Sequence, residues 1–134
     1  MTETDSDNSK MLSNNSKMLS QKVCRCGNAV ANAIGRIDTF ARSIEKVRLG
    51  ESSPVLKMYE ESVNVVHGGI TNVEAFCEID TKEEQQHYMD ASNKISEMTT
   101  IKNLTMFRHR RDEVLDNLSK IRHGIKEKVR LCSM

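Results

Sequence analysis

At 134 residues the chain has room for one domain. With 37% apolar residues, only 4% aromatic and no Trp, it lacks the ring side chains that fill a thick globular core. Charged residues reach 29% yet the net charge is only +1, so no global field singles out nucleic acid or membrane as a partner. One Pro and six Gly are too few for the turns of an all-β chain.

Residues 1–16 are rich in Ser, Asn, Asp and Thr and read as a flexible tail. A first helix is predicted over about residues 17–48. Its apolar positions Leu19, Val23, Cys26, Val30, Ala33, Ile37, Phe40, Ile44 and Val47 advance by alternating steps of four and three. That is a sustained heptad seam, the pattern of helix-on-helix packing. Gly27 and Gly35 each weaken the helix by roughly 1 kcal/mol relative to Ala, so it is expected to lean on neighbours. Arg48-Leu49-Gly50 supplies a helix end, with Gly50 suited to a left-handed cap.

The second helix is predicted over residues 54–78, with Ser53 as cap and Pro54 in the first turn. Its seam is Leu56, Tyr59, Val63, Val66, Ile70, Val73 and Cys77. The register survives Gly68-Gly69, which is read as a soft hinge rather than a helix end. A third helix is predicted over about residues 81–130, opened by Thr81 and Glu84 at capping-box spacing. Its steps shorten to threes at Ile101, Leu104 and Phe107, as in an overwound coiled coil, before Val114, Leu118, Ile121 and Ile125 resume the stripe. Unbroken, this rod would run to about 49 residues and roughly 70 Å, longer than so short a chain could cover.

The expected fold is therefore all-α: three long, coiled-coil-like helices within residues 17–134, forming part of a hetero-oligomeric helical bundle. The expected partner interface is Val23, Val30, Ile37, Ile44, Leu56, Val63, Ile70, Leu118, Ile121 and Ile125.

No motif for chemistry emerges. Cys24 and Cys26 are two apart, which on a helix points them some 200° from each other, and no second cysteine pair completes a metal site. Cys77 and Cys132 stand far away, so no disulfide framework is expected. His67, His87, His109 and His123 are scattered, and no His-Glu-x-x-His occurs. No catalytic residue, cofactor, metal or small-molecule substrate is expected. No leader peptide is evident, and the longest uncharged stretch, Ser62–Val73, is far short of the ~20 residues of a membrane helix. A cytoplasmic home with reduced thiols follows. The run Arg108-His109-Arg110-Arg111 has Asp112, Glu113 and Asp116 within pairing distance along the helix, giving a self-neutralising face. Nucleic-acid binding is not expected, because only Phe107 could stack a base beside it.

Residues Met18–Gly27, reading MLSQKVCRCG, resemble the opening of the subunit 7 family of BORC, the BLOC-one-related lysosome-positioning complex. The likeness lies in Leu19, Lys22, Val23, the Cys26-Gly27 pair and Val30. It resumes at Ser52-Ser53, Leu56, Ile70 and Glu74, covering residues 18–76. It implies a non-catalytic helical subunit of a cytosolic adaptor complex. The partners would be other helical subunits, and the complex would associate peripherally with the lysosomal membrane. Through a small Arf-like GTPase and a kinesin, such a complex moves lysosomes along microtubules. A second likeness, of Phe107–Glu113 to a segment of the BAR half of some sorting nexins, implies instead a membrane-binding helical module of endosomal trafficking.

Overall fold

The computed structural model describes residues 25–51 and 53–133, with side chains described as far as residue 130 except that of residue 53. The expected tail at residues 1–16 and the seam positions Leu19 and Val23 lie outside the described residues.

Among the described residues there are four α-helices and no strand: α1 over residues 25–45, α2 over Ser53–Cys77, α3 over Lys82–Met98 and α4 over Leu104–Ser133. The all-α expectation holds, but the single long third helix is corrected to two. The break falls at Thr99–Asn103, where the steps of three occur. There the Thr99 and Thr100 hydroxyls donate to the carbonyls of Ser96 (2.7 Å) and Glu97 (2.9 Å), satisfying acceptors at the end of α3. Asn103 Oδ1 then accepts the amide of Met106 at 3.0 Å, an N-cap that starts α4. The shortened spacing marks a turn, not an overwound coil.

The other turns follow local chemistry. After residue 45, the amides of Lys46 and Val47 bond to the carbonyls of Ser43 and Ile44, tightening the last turn, and Gly50 takes φ +86°. Between α2 and α3 the positive φ of 54° falls on Glu78. The expected capping box at Thr81 and Glu84 does not form. Thr81 Oγ1 accepts from Gln85 Nε2 at 2.9 Å, while the carboxylate of Glu84 turns inward to Lys128.

Short turns give an up-down-up-down bundle in which each helix touches the next and α4 closes on α1. A specific contact ties each flank. Cys26 and Cys77 are joined by a disulfide across α1 and α2, with Cα atoms 4.8 Å apart. The Tyr88 hydroxyl donates to Asn64 Oδ1 at 2.8 Å between α3 and α2. Arg110 Nε meets Glu97 at 2.7 Å between α4 and α3, and Arg122 Nε meets Asp38 at 3.1 Å between α4 and α1. The disulfide corrects the expectation that the cysteines form no framework. Antiparallel pairing brings the ends of two seams together across a separation of 51 residues, a register no spacing rule reveals.

The seams meet on the bundle axis. Ala33, Ile37, Phe40 and Ile44 from α1 join Val63, Val66, Ile70 and Val73 from α2, Ala91, Ile95 and Met98 from α3, and Phe107, Val114, Leu118, Ile121 and Ile125 from α4. Each large member contributes about 1.5–3 kcal/mol by leaving water. Gly68-Gly69 is neither a helix end nor a break in the seam, since α2 runs through it. A Cβ on Gly69 would come within 3.0 Å of the Ala33 backbone, so glycine here lets α1 and α2 approach closely.

One charge is buried with them. Glu84 is 1% exposed and receives Lys128 Nζ at 2.7 Å, while the same ammonium donates to the Asp80 carbonyl at 2.9 Å. Its carboxylate occupies the space a Cβ on Gly124 would fill. Gly124→Ala is therefore expected to destabilise the fold by about 1–3 kcal/mol, against the roughly 1 kcal/mol gain Ala brings to an open helix site. A urea titration followed by circular dichroism checks the sign; a more stable variant would show that Glu84 moves away freely.

Candidate partner-binding surface

The residues expected to face partners are covered by the chain itself. Ile37, Ile44, Val63, Ile70, Leu118, Ile121 and Ile125 are all buried in the internal core, and Val30 and Leu56 are half-buried against it. Val23 lies outside the described residues. The premise that a chain of this length leaves its stripes uncovered is thus corrected: breaking the third helix supplies a fourth wall.

A different strip faces outward. On α2, Met58 and Val65, seven residues apart, are 63% and 49% exposed, and Phe76 further along is exposed too. Ser62, Gly69 and Asn72 interleave with them at steps of four and three; Gly69 is buried against Ala33, while Ser62 and Asn72 lie on the edge beside α1. The facing edge of α1 offers Asn32, Gly35, Thr39 and Ser43. Together with Ser62 and Val65 these line a groove of about 500 Å³ whose lining carries Arg36 as its one charge. Arg36 is held down, its Nη1 donating to the Val65 carbonyl at 3.1 Å. A Cβ on Gly35 would meet nothing within 4 Å, so the groove is open there.

The physical cause is residue size. Where Ala33 meets Gly69 the helices touch closely; further along, Gly35, Thr39 and Ser43 face Ser62, and small side chains leave the gap unfilled. In a chain with 29% charged residues, a strip with one charge, itself held down, and heptad-spaced apolar side chains has the character of a helix-docking surface.

Elsewhere, His87 and His123, far apart in sequence, line one hollow of about 350 Å³ between α3 and α4 with Glu83, Glu84 and Lys120. Glu84 is already engaged by Lys128, and among the described residues no group of three or more His, Cys, Asp or Glu is placed to share a metal ion. His67 stacks near Tyr88, ring centroids 4.9 Å apart, and burial raises the Tyr88 phenol above its usual pKa, keeping it a proton donor to Asn64. These contacts bind α2 to α3. His109 pairs with Glu113 at 3.1 Å on α4. Arg110, part of the basic run, is held by Glu97 and Glu113, each at 2.7 Å. Among the described residues no helix is long and apolar enough to cross a membrane. Comparison with protein-family models, characterised proteins and solved structures finds no match.

Proposed function

We propose that the chain is a non-catalytic subunit of a helical adaptor assembly, and that it receives a helix of a partner subunit in the groove between α1 and α2. The observation that carries this reading is the open, nearly uncharged groove lined by Val65, with the exposed Met58 two turns before it on α2. A partner helix with apolar residues at heptad spacing would cover both and meet little charge to desolvate.

The sequence resemblance supports the same place. It spans residues 18–76, which contain both walls of the groove and none of α3 or α4. On that ground the proposed assembly is of the lysosome-positioning type, a BORC-like complex on the cytosolic face of the lysosome, linked through an Arf-like GTPase to kinesin. The Cys26–Cys77 bridge runs against a permanently reducing location. Alkylation of the protein as it leaves the cell, followed by intact-mass measurement, decides that point. The sorting-nexin reading has less support, because Phe107 of its matching segment is buried and Arg110 is tied to Glu97 and Glu113.

Val65→Asp is expected to abolish co-purification of the tagged chain with its helical partners while leaving its melting temperature within a few degrees, since the side chain faces water in the isolated chain. Partners retained by Val65→Asp and by Met58→Asp would remove the groove as the docking site.

A further inference from the structure

Charge is shared unevenly between the two halves of the bundle. Residues 25–50 carry five Lys/Arg against two Asp/Glu, and α4 carries eight against four, whereas residues 53–98 carry three against nine. The contact between Arg122 and Asp38 makes α1 and α4 neighbours, so the two cationic segments share one flank. Part of the excess is used in stitching the bundle: Arg36 holds the Val65 carbonyl, Arg110 holds Glu97 and Lys128 holds Glu84. Arg42, Lys46, Arg48, Arg108, Arg111 and Lys126 make no ion pair among the described residues, and all but Arg111 are exposed. On these same segments Glu45 and Asp112 are the acids without an ion pair among the described residues.

The arrangement is directional. At 100° per residue, Arg108, Arg111 and Lys126 lie within roughly 60° of Arg122 around α4, on the side turned toward α1. Arg42 follows Asp38 by one turn on α1. Lys46 and Arg48 lie where the α1–α2 turn passes the start of α4, since Leu49 and Gly50 share a hollow with Lys102 and Phe107. At that end Leu104, in line with Arg122 around α4, stands 47% exposed in the first turn, whereas Met106 points some 200° from Leu104, away from this flank. A row of cations on one flank ending in the water-facing Leu104 matches a layer of anionic headgroups above hydrocarbon. An acidic protein helix would use the charges and leave Leu104 in water.

From this we infer that the α1–α4 flank docks on an anionic phospholipid membrane, with Leu104 entering the headgroup layer. The docking does not depend on the groove, which lies on a different flank and is lined by other residues. The test is sedimentation of the full chain with phosphatidylcholine vesicles, plain or containing about 30% phosphatidylserine, at physiological salt. Binding is expected to the anionic vesicles alone and to fall as salt rises. Replacing Arg108, Arg111 and Lys126 together by Gln is expected to weaken it about a hundredfold, near fivefold per cation, with the melting temperature unchanged. Equal sedimentation with plain vesicles, or full binding by the triple variant, would overturn the inference. So would salt-sensitive capture by polyglutamate without sedimentation by vesicles, which would assign the flank to an acidic protein.

Discussion

Replacing Ile37 by Asp is expected to unfold the isolated chain. Ile37 is 2% exposed, enclosed by apolar side chains from across the bundle. Removing a buried Ile costs about 2–5 kcal/mol, and a carboxylate left without a partner in that site adds several more. A domain of this size holds about 5–15 kcal/mol in total, so the variant should lose its cooperative thermal transition and elute as an expanded species. Val65→Asp, also on a seam but at its outer edge, should melt like the parent. The pair separates two accounts of the same heptads. If Ile37→Asp alone keeps a sharp transition while losing partners, the α1 seam is covered by other chains and the internal bundle described above is wrong.

That contrast also marks how far the sequence could be read. Alternating steps of three and four locate the buried positions because a helix presents one face per 3.6 residues, and Ile37, Val63, Ile70 and Leu118 are all buried as that period requires. Period alone does not say whose side chains supply the cover. The deciding signal was the Thr99-Thr100 pair followed by Asn103, residues whose short polar side chains bond to backbone groups and so end one helix and start the next. Read as a change of coil pitch, it became a rod that needed partners; read as a turn, it gives the fourth helix. The groove was hidden for a different reason. Most of its lining is Asn32, Gly35, Thr39, Ser43 and Ser62, small residues that fall between the seams and acquire meaning only when α1 and α2 are set side by side. Glu84 was misassigned because its spacing from Thr81 fits a local cap, while the stronger attraction is a lysine 44 residues away in sequence.

Opening the Cys26–Cys77 bridge should produce the second large effect. The bond closes a loop that holds nearly all of α1 and α2, with a separation of 51 residues. On the chain-entropy account, a loop of that length restrains the unfolded state by about 4 kcal/mol. For a domain of this size the loss corresponds to a fall in melting temperature of roughly 15 °C, read from parallel melts with and without a phosphine reductant. Cys26→Ser should lower the melt similarly and make it insensitive to reductant. The consequence reaches the groove. Without the bridge, α1 stays beside α2 through noncovalent contacts, chiefly the Ala33–Gly69 approach and the Arg36 hydrogen bond, and both lie beside the groove lining. Partner-helix affinity should therefore drop on reduction, whereas vesicle binding through α4 should change little. Rapid alkylation of Cys26 and Cys77 in the untreated native protein, with no change in melt on adding reductant, would show the two thiols to be free and the hairpin to stand on packing alone.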